Sequence, residues 1–380
     1  MREVVIIDGA RTPFGRAIKG NLRQTRVEDL GALVVKAAIE RAGIDPAQLE
    51  DLALGCAMPE GSQGLNIARI VGFLAGLPHT VPAYTVNRFC ASGLQTMASV
   101  AARIAIGEMD AAIAGGVESM TAVPMTGFHP QLHPKLAVEY PEAYIAMGTT
   151  AENVARQFEV DRLAQDTFAV SSQQKAAKAR DAGLLAEEII PVETTVDGRA
   201  VTVEHDELIR PDSTVEGLAR LRPAFDPTGT VTAGNASPLT DGAAATVMMS
   251  RQAAGDREIL GVFKRFVTVG VPPEIMGIGP KPAIEKLLQR AGLTIDDIDL
   301  FEINEAFASQ SVYCQRALGI PDEKLNVNGG AIALGHPLGV SGTRLAITAL
   351  YALRRRGGKR AVVSMCIGGG MGAAALLERE

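Results

Sequence analysis

"AIERAGIDPAQLEDLALG", residues 38–55, and "LLQRAGLTIDDIDLFEIN", residues 287–304, are two versions of one phrase: the end of an amphipathic helix, a glycine-containing turn and an apolar strand. Their arginines, Arg41 and Arg290, lie 249 positions apart. Two more echoes follow in the same order. "AYTVN" (83–87) matches "KLNVN" (324–328), each running into a Gly-containing turn and a long Ala/Leu-rich helix. "DAAIAGGVESM" (110–120) matches "RAVVSMCIGGGMG" (360–372) at an offset of 250. Three echoes at nearly one spacing describe a duplicated βαβ-rich half, because self-similarity reports the architecture before any single motif does. The expected class is α/β.

A different kind of sequence interrupts the repeat. Residues 121–240 are rich in Pro, Gly and short polar turns, carry one charged helical stretch, "DRLAQDTFAVSSQQKAAKARDAG", and show little parallel-sheet signal. So long an excursion calls for a fold or a binding task of its own. "GAAATVMMS" (242–250) then reads as a buried strand returning to the first sheet. The expected division is a first half at 1–120 completed by a strand at 242–258, an inserted loop domain at 121–241, and a second half at 259–380.

Composition narrows the function. The 380 residues are 47% hydrophobic and only 4% aromatic, with 40 glycines, so Ala, Val, Ile and Leu must pack closely in more than one core unit. A net charge of −6 with no basic tail or stripe argues against nucleic-acid binding and against an anionic membrane surface. Apolar runs are broken by Gly or charge before reaching bilayer length, so no membrane insertion is expected. Cys56, Cys90, Cys314 and Cys366 have neither C-x-x-C spacing nor a histidine partner nearby, which predicts reduced thiols and no metal site. "MREVVIIDGART" reads as a strand entering a turn rather than a signal peptide, and "LLERE" carries no anchoring or peroxisomal signal, so the expected setting is cytoplasmic.

Chemistry concentrates in a few turns. In "VNRFCASGLQTMASVAARIAIG" (86–107), Cys90 stands at the start of a helix, where backbone N–H groups and the helix dipole favour a thiolate. A packing role is the plain alternative for any lone cysteine. His79, His129, His133 and His205 sit in loop-like sequence and read as solvated. His336, in "NVNGGAIALGHPLGVSG" (326–342), lies between glycine-lined turns that are entropically costly to fold, and it reads as functional. Cys366 ends an apolar strand before three glycines in "SMCIGGGMG" (364–372), and no P-loop Lys-Ser/Thr follows. Loops after corresponding strands of a duplicated fold meet at one face, so Cys90, His336 and Cys366 are expected to converge. An imidazole activates one thiol towards a thioester, and the second thiol moves a proton at carbon. Backbone N–H groups of the Gly-rich turn and the helix start stabilise the oxyanions. Asn304, in "FEINEAFASQ" (301–310), is read either as a helix cap or as a donor to a water or substrate oxygen.

"NRFCASG", "NEAFA", "NVNGGAIALGHPLGVSG" and "CIGGGMG", with "GARTPFG" near the start, resemble the thiolases over essentially the whole chain. The resemblance implies two βαβαβαββ halves in a five-layered αβαβα body, with the inserted loop domain covering coenzyme A. It implies that Cys90 holds the acyl group, His336 activates it and Cys366 is the acid/base at the α-carbon. Asn304 would fix a water that forms one oxyanion hole with His336, and the N–H groups of Cys90 and Gly368 the other. Arg210, Ala233 and Ser237 match coenzyme A contacts, and Met147 matches a residue of the acyl pocket.

Acetoacetyl-forming members of the family often carry a histidine before the Met-Gly of "YIAMGTTAENVA", where this chain has Ala146. The expected activity is therefore that of a 3-ketoacyl-CoA thiolase of fatty-acid β-oxidation, with acetyl-CoA C-acetyltransferase as the alternative. A catalytically silent acyl-CoA- or lipid-binding protein need not keep all three of Cys90, His336 and Cys366. The resemblance further implies no permanently bound cofactor, coenzyme A and acyl-CoA as substrates, a homo-oligomer (a dimer or a tetramer), and a β-oxidation partner enzyme as a candidate associate.

Overall fold

The computed structural model describes residues 1–380. The first half runs β1 (Val4–Arg11), α1 (Val27–Ala42), β2 (Leu52–Gly55), α2 (Ile67–Leu74), β3 (Ala83–Val86), α3 (Ser92–Ala105) and β4 (Ala111–Ser119). The excursion follows, with α4 (Met147–Gln157), α5 (Arg162–Asp181) and a small hairpin of Val192–Val196 and Arg199–Val203. Its charged stretch forms α5, whose N-cap Asp161 accepts from the Ala164 N–H. The chain then returns as β5 (Thr240–Ser250), antiparallel to both β1 and β4. This strand ends eight residues before the expected 258, because Ser250 caps a short helix at Arg251–Ala254.

The second half repeats the pattern with β6 (Gly261–Gly270), α6 (Pro280–Ala291), β7 (Leu300–Ile303), α7 (Ala308–Leu318), α8 (Ser341–Arg356), β8 (Arg360–Ile367) and β9 (Met371–Glu378). The strand order is β3-β2-β4-β5-β1 in the first half and β7-β8-β9-β6 in the second, joined where β1 meets β6 through Val5–Val262 and Ile6–Gly261. Counted within each half, both follow the order third, second, fourth, fifth, first. The second half's third strand is reduced to one parallel bridge between Leu325 and Phe301. Asn326, at φ +43°, turns away there, and its side chain continues the ladder instead. Its Oδ1 accepts from the Ile303 N–H and its Nδ2 donates to the Ile303 carbonyl, both at 2.9 Å.

Alternation along the strands sorts side chains into layers. Ile113 and Val117 of β4 pack with α1 and α2, whereas Ala112 and Ala114 face a central core containing α3 and α8. From the other side Ala361, Val363 and Met365 of β8 enter the same central core, and Val362 packs outward against α6. Five layers result: helices, sheet, central helices, sheet, helix.

The two central helices meet at their first turns in reciprocal fashion. A Cβ on Gly93 would lie 2.6 Å from Thr343 Oγ1, and one on Gly342 would lie 2.3 Å from the Leu94 nitrogen. Gly93 and Gly342 are 249 positions apart, as are Leu94 and Thr343, so each contact is the image of the other under the duplication. Only glycine permits so close an approach. The contact brings the turns before α3 and α8, which carry Cys90 and His336, to one end of the molecule.

Candidate active site

Cys90 lies in a single 3₁₀ turn, Phe89–Ala91, that feeds α3. The turn is tightly built: Phe89 takes φ +44°, a conformation a bulky residue adopts only when its surroundings impose it. Asn87 Oδ1 accepts from the Phe89 N–H at 2.9 Å, and Ser92 Oγ donates to the Phe89 carbonyl at 2.6 Å. The N–H groups of Gly368 and of Cys90 itself lie close to the Cys90 sulfur. Those donors support a thiolate, yet burial outweighs them and pushes the thiol up to about 11. The helix start alone therefore does not ionise Cys90.

His336 is buried and neutral. Ser341 Oγ donates to the Pro337 carbonyl at 3.0 Å, which leaves it to accept from Nδ1–H at 2.6 Å. The proton is thus assigned to Nδ1 and the lone pair to Nε2. Asn304 Nδ2 donates to Nε2 at 3.2 Å, and the buried Asn304 Oδ1 is left without a protein partner. Burial, with the Arg344 guanidinium second, holds the imidazole down to about 3. Asn304 does not cap a helix: α7 begins at Ala308, and its N-cap position is Phe307. Its backbone N–H instead donates to the Ser364 carbonyl at 2.9 Å, beside the β8 segment that carries Cys366.

Cys366 is fully buried among Met147, Ala151, Val231, Met276, Ala306 and Phe307. Burial raises its thiol far above the usual range, and the nearby Cys90 adds to the effect. A side chain on Gly368 would begin 3.6 Å from Met147 Sδ and 3.8 Å from the Phe89 ring. The structure therefore brings Cys90, Gly368, Cys366 and Met147 near one another, with Asn304 bonded to His336 and to the Ser364 carbonyl of the strand that carries Cys366. Ser237 adjoins this set through its N–H, which donates to the Ala306 carbonyl at 3.0 Å. Ala233 and Arg210 are exposed and make no hydrogen bond to the set; Arg210 is tied to Gln173 Oε1 only by its backbone N–H, at 2.7 Å. His79, His129, His133 and His205 are all exposed, as expected. No group of three or more His, Cys, Asp or Glu side chains is placed to hold a metal ion.

Sequence reasoning missed the supports of this site. Ser341 and Glu305 lie inside motifs already singled out, where only the three-dimensional loop reveals their use. The Glu305 carboxylate accepts from Ser172 Oγ at 2.6 Å, Asn326 Nδ2 at 2.8 Å and the Ile332 N–H at 3.2 Å, joining α5 to the Asn304 turn. Thr240 Oγ1 accepts from the His336 N–H at 3.1 Å across the insertion, a link with no local signal.

Residues 4–252 match the family thiolase, N-terminal domain, and residues 257–379 match thiolase, C-terminal domain. The chain belongs to the thiolase family. This thiolase is 52% identical to the 3-ketoacyl-CoA thiolase of Bacillus subtilis over the whole of both chains. It is 49% identical to the peroxisomal 3-ketoacyl-CoA thiolase of Homo sapiens, covering 99% of this chain and 91% of the human one. Among solved structures, the acetyl-CoA acetyltransferase of Bacillus anthracis superposes with a TM-score of 0.92 at 38% identity, covering 100% of this chain and 99% of that one. No helix of this thiolase is long and apolar enough to cross a membrane.

Proposed function

We propose that this thiolase is an acetyl-CoA C-acyltransferase that cleaves 3-ketoacyl-CoAs with coenzyme A in fatty-acid β-oxidation. The observation that carries the reading is the Cys90 sulfur close to the Gly368 N–H and to the Cys366 thiol. Cys90 attacks the 3-keto carbon as His336 Nε2 accepts the thiol proton, the oxyanion that develops on C3 is held by the Cys90 and Gly368 N–H groups, and the His336 and Asn304 side holds the thioester oxygen of the departing acetyl unit. The bond between C2 and C3 breaks, its electron pair takes the Cys366 proton, and acetyl-CoA leaves. The thiol of coenzyme A then returns a proton to Cys366 and attacks the Cys90 thioester, whose oxyanion is held by the Cys90 and Gly368 N–H groups. Cys90 leaves with the proton from His336. Each oxyanion donor is worth roughly 2.7–4 kcal/mol in such sites.

Residues 121–241 serve as the domain that covers coenzyme A, with Arg210, Ala233 and Ser237 as its contacts and Met147 lining the acyl pocket; 1–120 with β5, and 259–380, form the catalytic halves. The enzyme carries no resident cofactor, works in the cytoplasm and assembles as a homodimer or a tetramer of two such pairs. A second reading, acetyl-CoA C-acetyltransferase making acetoacetyl-CoA, is favoured by the name of the Bacillus anthracis neighbour, whereas the 3-ketoacyl-CoA thiolases share more of this sequence. The test is incubation with a 3-ketoacyl-CoA lacking free coenzyme A, followed by peptide mass analysis. The shortened acyl group is expected on the peptide containing Cys90, and label on Cys56 or Cys314 instead overturns the assignment.

A further inference from the structure

Glu118, the last residue but one of β4, is completely buried and takes no part in the proposed chemistry. Its carboxylate is surrounded by donors. Oε2 accepts from the Ala57 N–H at 2.7 Å and the Gly339 N–H at 2.8 Å; Oε1 accepts from the Met58 N–H at 3.2 Å and Gln63 Nε2 at 3.1 Å, with Cys56 Sγ at 3.7 Å. Burial outweighs these donors and raises the carboxyl above its ordinary range, while the four N–H donors aimed at its two oxygens act the opposite way.

Two arms leave this carboxylate. On one side Gly339 lies between Pro337 and Ser341, the residues whose carbonyl and hydroxyl orient the His336 ring, and next to Leu338, which packs on Cys90. On the other side the Ala57 carbonyl accepts from Asn87 Nδ2 at 3.0 Å, and Asn87 Oδ1 holds the N–H of Phe89, the residue of positive φ that aims Cys90. A Cβ on Gly339 would lie 2.9 Å from Glu118 Oε2, so the carboxylate grips bare backbone.

The duplication supplies an independent argument. At the repeat offsets of 249 and 250, Gly339 corresponds to Cys90 and Glu118 to Gly368. The bond between Glu118 and the Gly339 N–H is thus the image of the contact between Gly368 and Cys90. In one image the helix start lies beside the nucleophile candidate; in the other the same place holds a buried carboxyl group.

We infer that Glu118 is a positioning residue that sets His336 and Cys90 against each other by anchoring the loop of one half and the nucleophile turn of the other on a single carboxylate. The inference rests on the proposed roles of Cys90 and His336. Displacement of about 1 Å at such a pair costs on the order of a hundredfold in rate. Glu118→Gln keeps the shape and one acceptor oxygen but turns an N–H pair towards existing donors. Its kcat is expected to fall tenfold or more while KM for coenzyme A stays within about twofold, and iodoacetamide should alkylate Cys90 more slowly at neutral pH. Asn87→Ala, at an exposed position, reads the same relay from its far end and should lower kcat without changing the thermal midpoint. Wild-type kcat and alkylation in folded Glu118→Gln overturn the proposal, and should that variant fail to fold, wild-type turnover in Asn87→Ala does so. Mapping the alkylated peptide of the wild-type enzyme separates the two levels: a site other than Cys90 defeats the reading of the active site, whereas an active, Cys90-alkylated enzyme indifferent to both substitutions defeats only the role of Glu118.

Discussion

Cys90 and His336 both rest uncharged, and the balance of effects explains why. Raising a thiol from 9.0 to about 11 corresponds to about 3 kcal/mol against the thiolate, and an exposed helix terminus returns only about 0.3–1 kcal/mol. The imidazole, held down to about 3, does not form an ion pair with the thiol in the resting enzyme. Deprotonation is therefore coupled to attack, with Nε2 accepting the proton as the sulfur reacts. The pH dependence follows in sign: the free thiolate fraction grows tenfold per unit until the thiol titrates near 11. The base-assisted path, by contrast, uses a neutral thiol and a neutral imidazole and does not change with pH while both stay uncharged. Iodoacetamide inactivation of the wild type is therefore expected to be nearly flat around neutrality and to climb above it. His336→Ala should be slower near pH 7, climb tenfold per unit from there, and converge on the wild-type rate at the alkaline end, where the base is no longer needed. Thiolate absorbance in the ultraviolet at neutral pH in the resting wild-type enzyme would reveal a stable thiolate–imidazolium pair and contradict the burial argument. The motif points to Cys90, but the ionisation of its thiol depends on burial, which adjacent residues do not report.

At the scale of elements, the junction of α3 with α8 bears the most constraint. A methyl group on Gly342 would lie 2.3 Å from the Leu94 nitrogen and 2.7 Å from its Cβ, inside the first turn of α3. Backbone atoms of a packed helix cannot retreat as a side-chain tip does, so overpacking of about 1–3 kcal/mol or more is expected. Gly342→Ala should lower the urea midpoint accordingly and slow turnover as well, since both catalytic turns hang from these helix starts. Loss of stability with full activity would mean that the turns are positioned independently of the junction. The helices and strands of both halves were legible from periodicity, and their correspondence from the repeat. The second half's third strand was not, because Asn326 substitutes its amide for a backbone ladder and "KLNVN" looks the same in either case. Nor was the use of Asn304: a polar residue before a helix suits a cap as well as a donor to an imidazole, and only the observed start of α7 at Ala308 decides between them.

For the whole molecule, the proposed roles put chemistry on one image of a repeated site and support on the other. Cys90, His336 and Cys366 stood out in the sequence because glycines that are costly unless used lie close to each, Cys366 itself belonging to the end of β8. The bonds of Glu118 to Gly339 and of Thr240 to His336 join residues 221 and 96 positions apart, and such links leave no trace in local sequence. In the proposed reading the insertion adds specificity to this body. Ala146, exposed, precedes Met147 at the start of α4, and Met147 packs beside Cys366. Upstream, Met125, Phe128, Leu132, Leu136 and Tyr144 remain 39–51% exposed rather than buried in a core of the insertion, so apolar surface is available for an alkyl chain. Each methylene buried there is worth about 0.8 kcal/mol, or about fourfold in kcat/KM. Thiolysis measured from acetoacetyl-CoA to medium-chain 3-ketoacyl-CoAs is expected to show kcat/KM rising with length over several carbons. Ala146→His places a bulky polar ring beside Met147 and should flatten that rise while sparing the four-carbon substrate, since the Cys90 chemistry is untouched. A wild-type enzyme confined to acetoacetyl-CoA would overturn the degradative reading in favour of the acetyltransferase. A rise unaffected by Ala146→His would instead mean that the alkyl chain leaves the catalytic pocket by a route that does not pass residue 146.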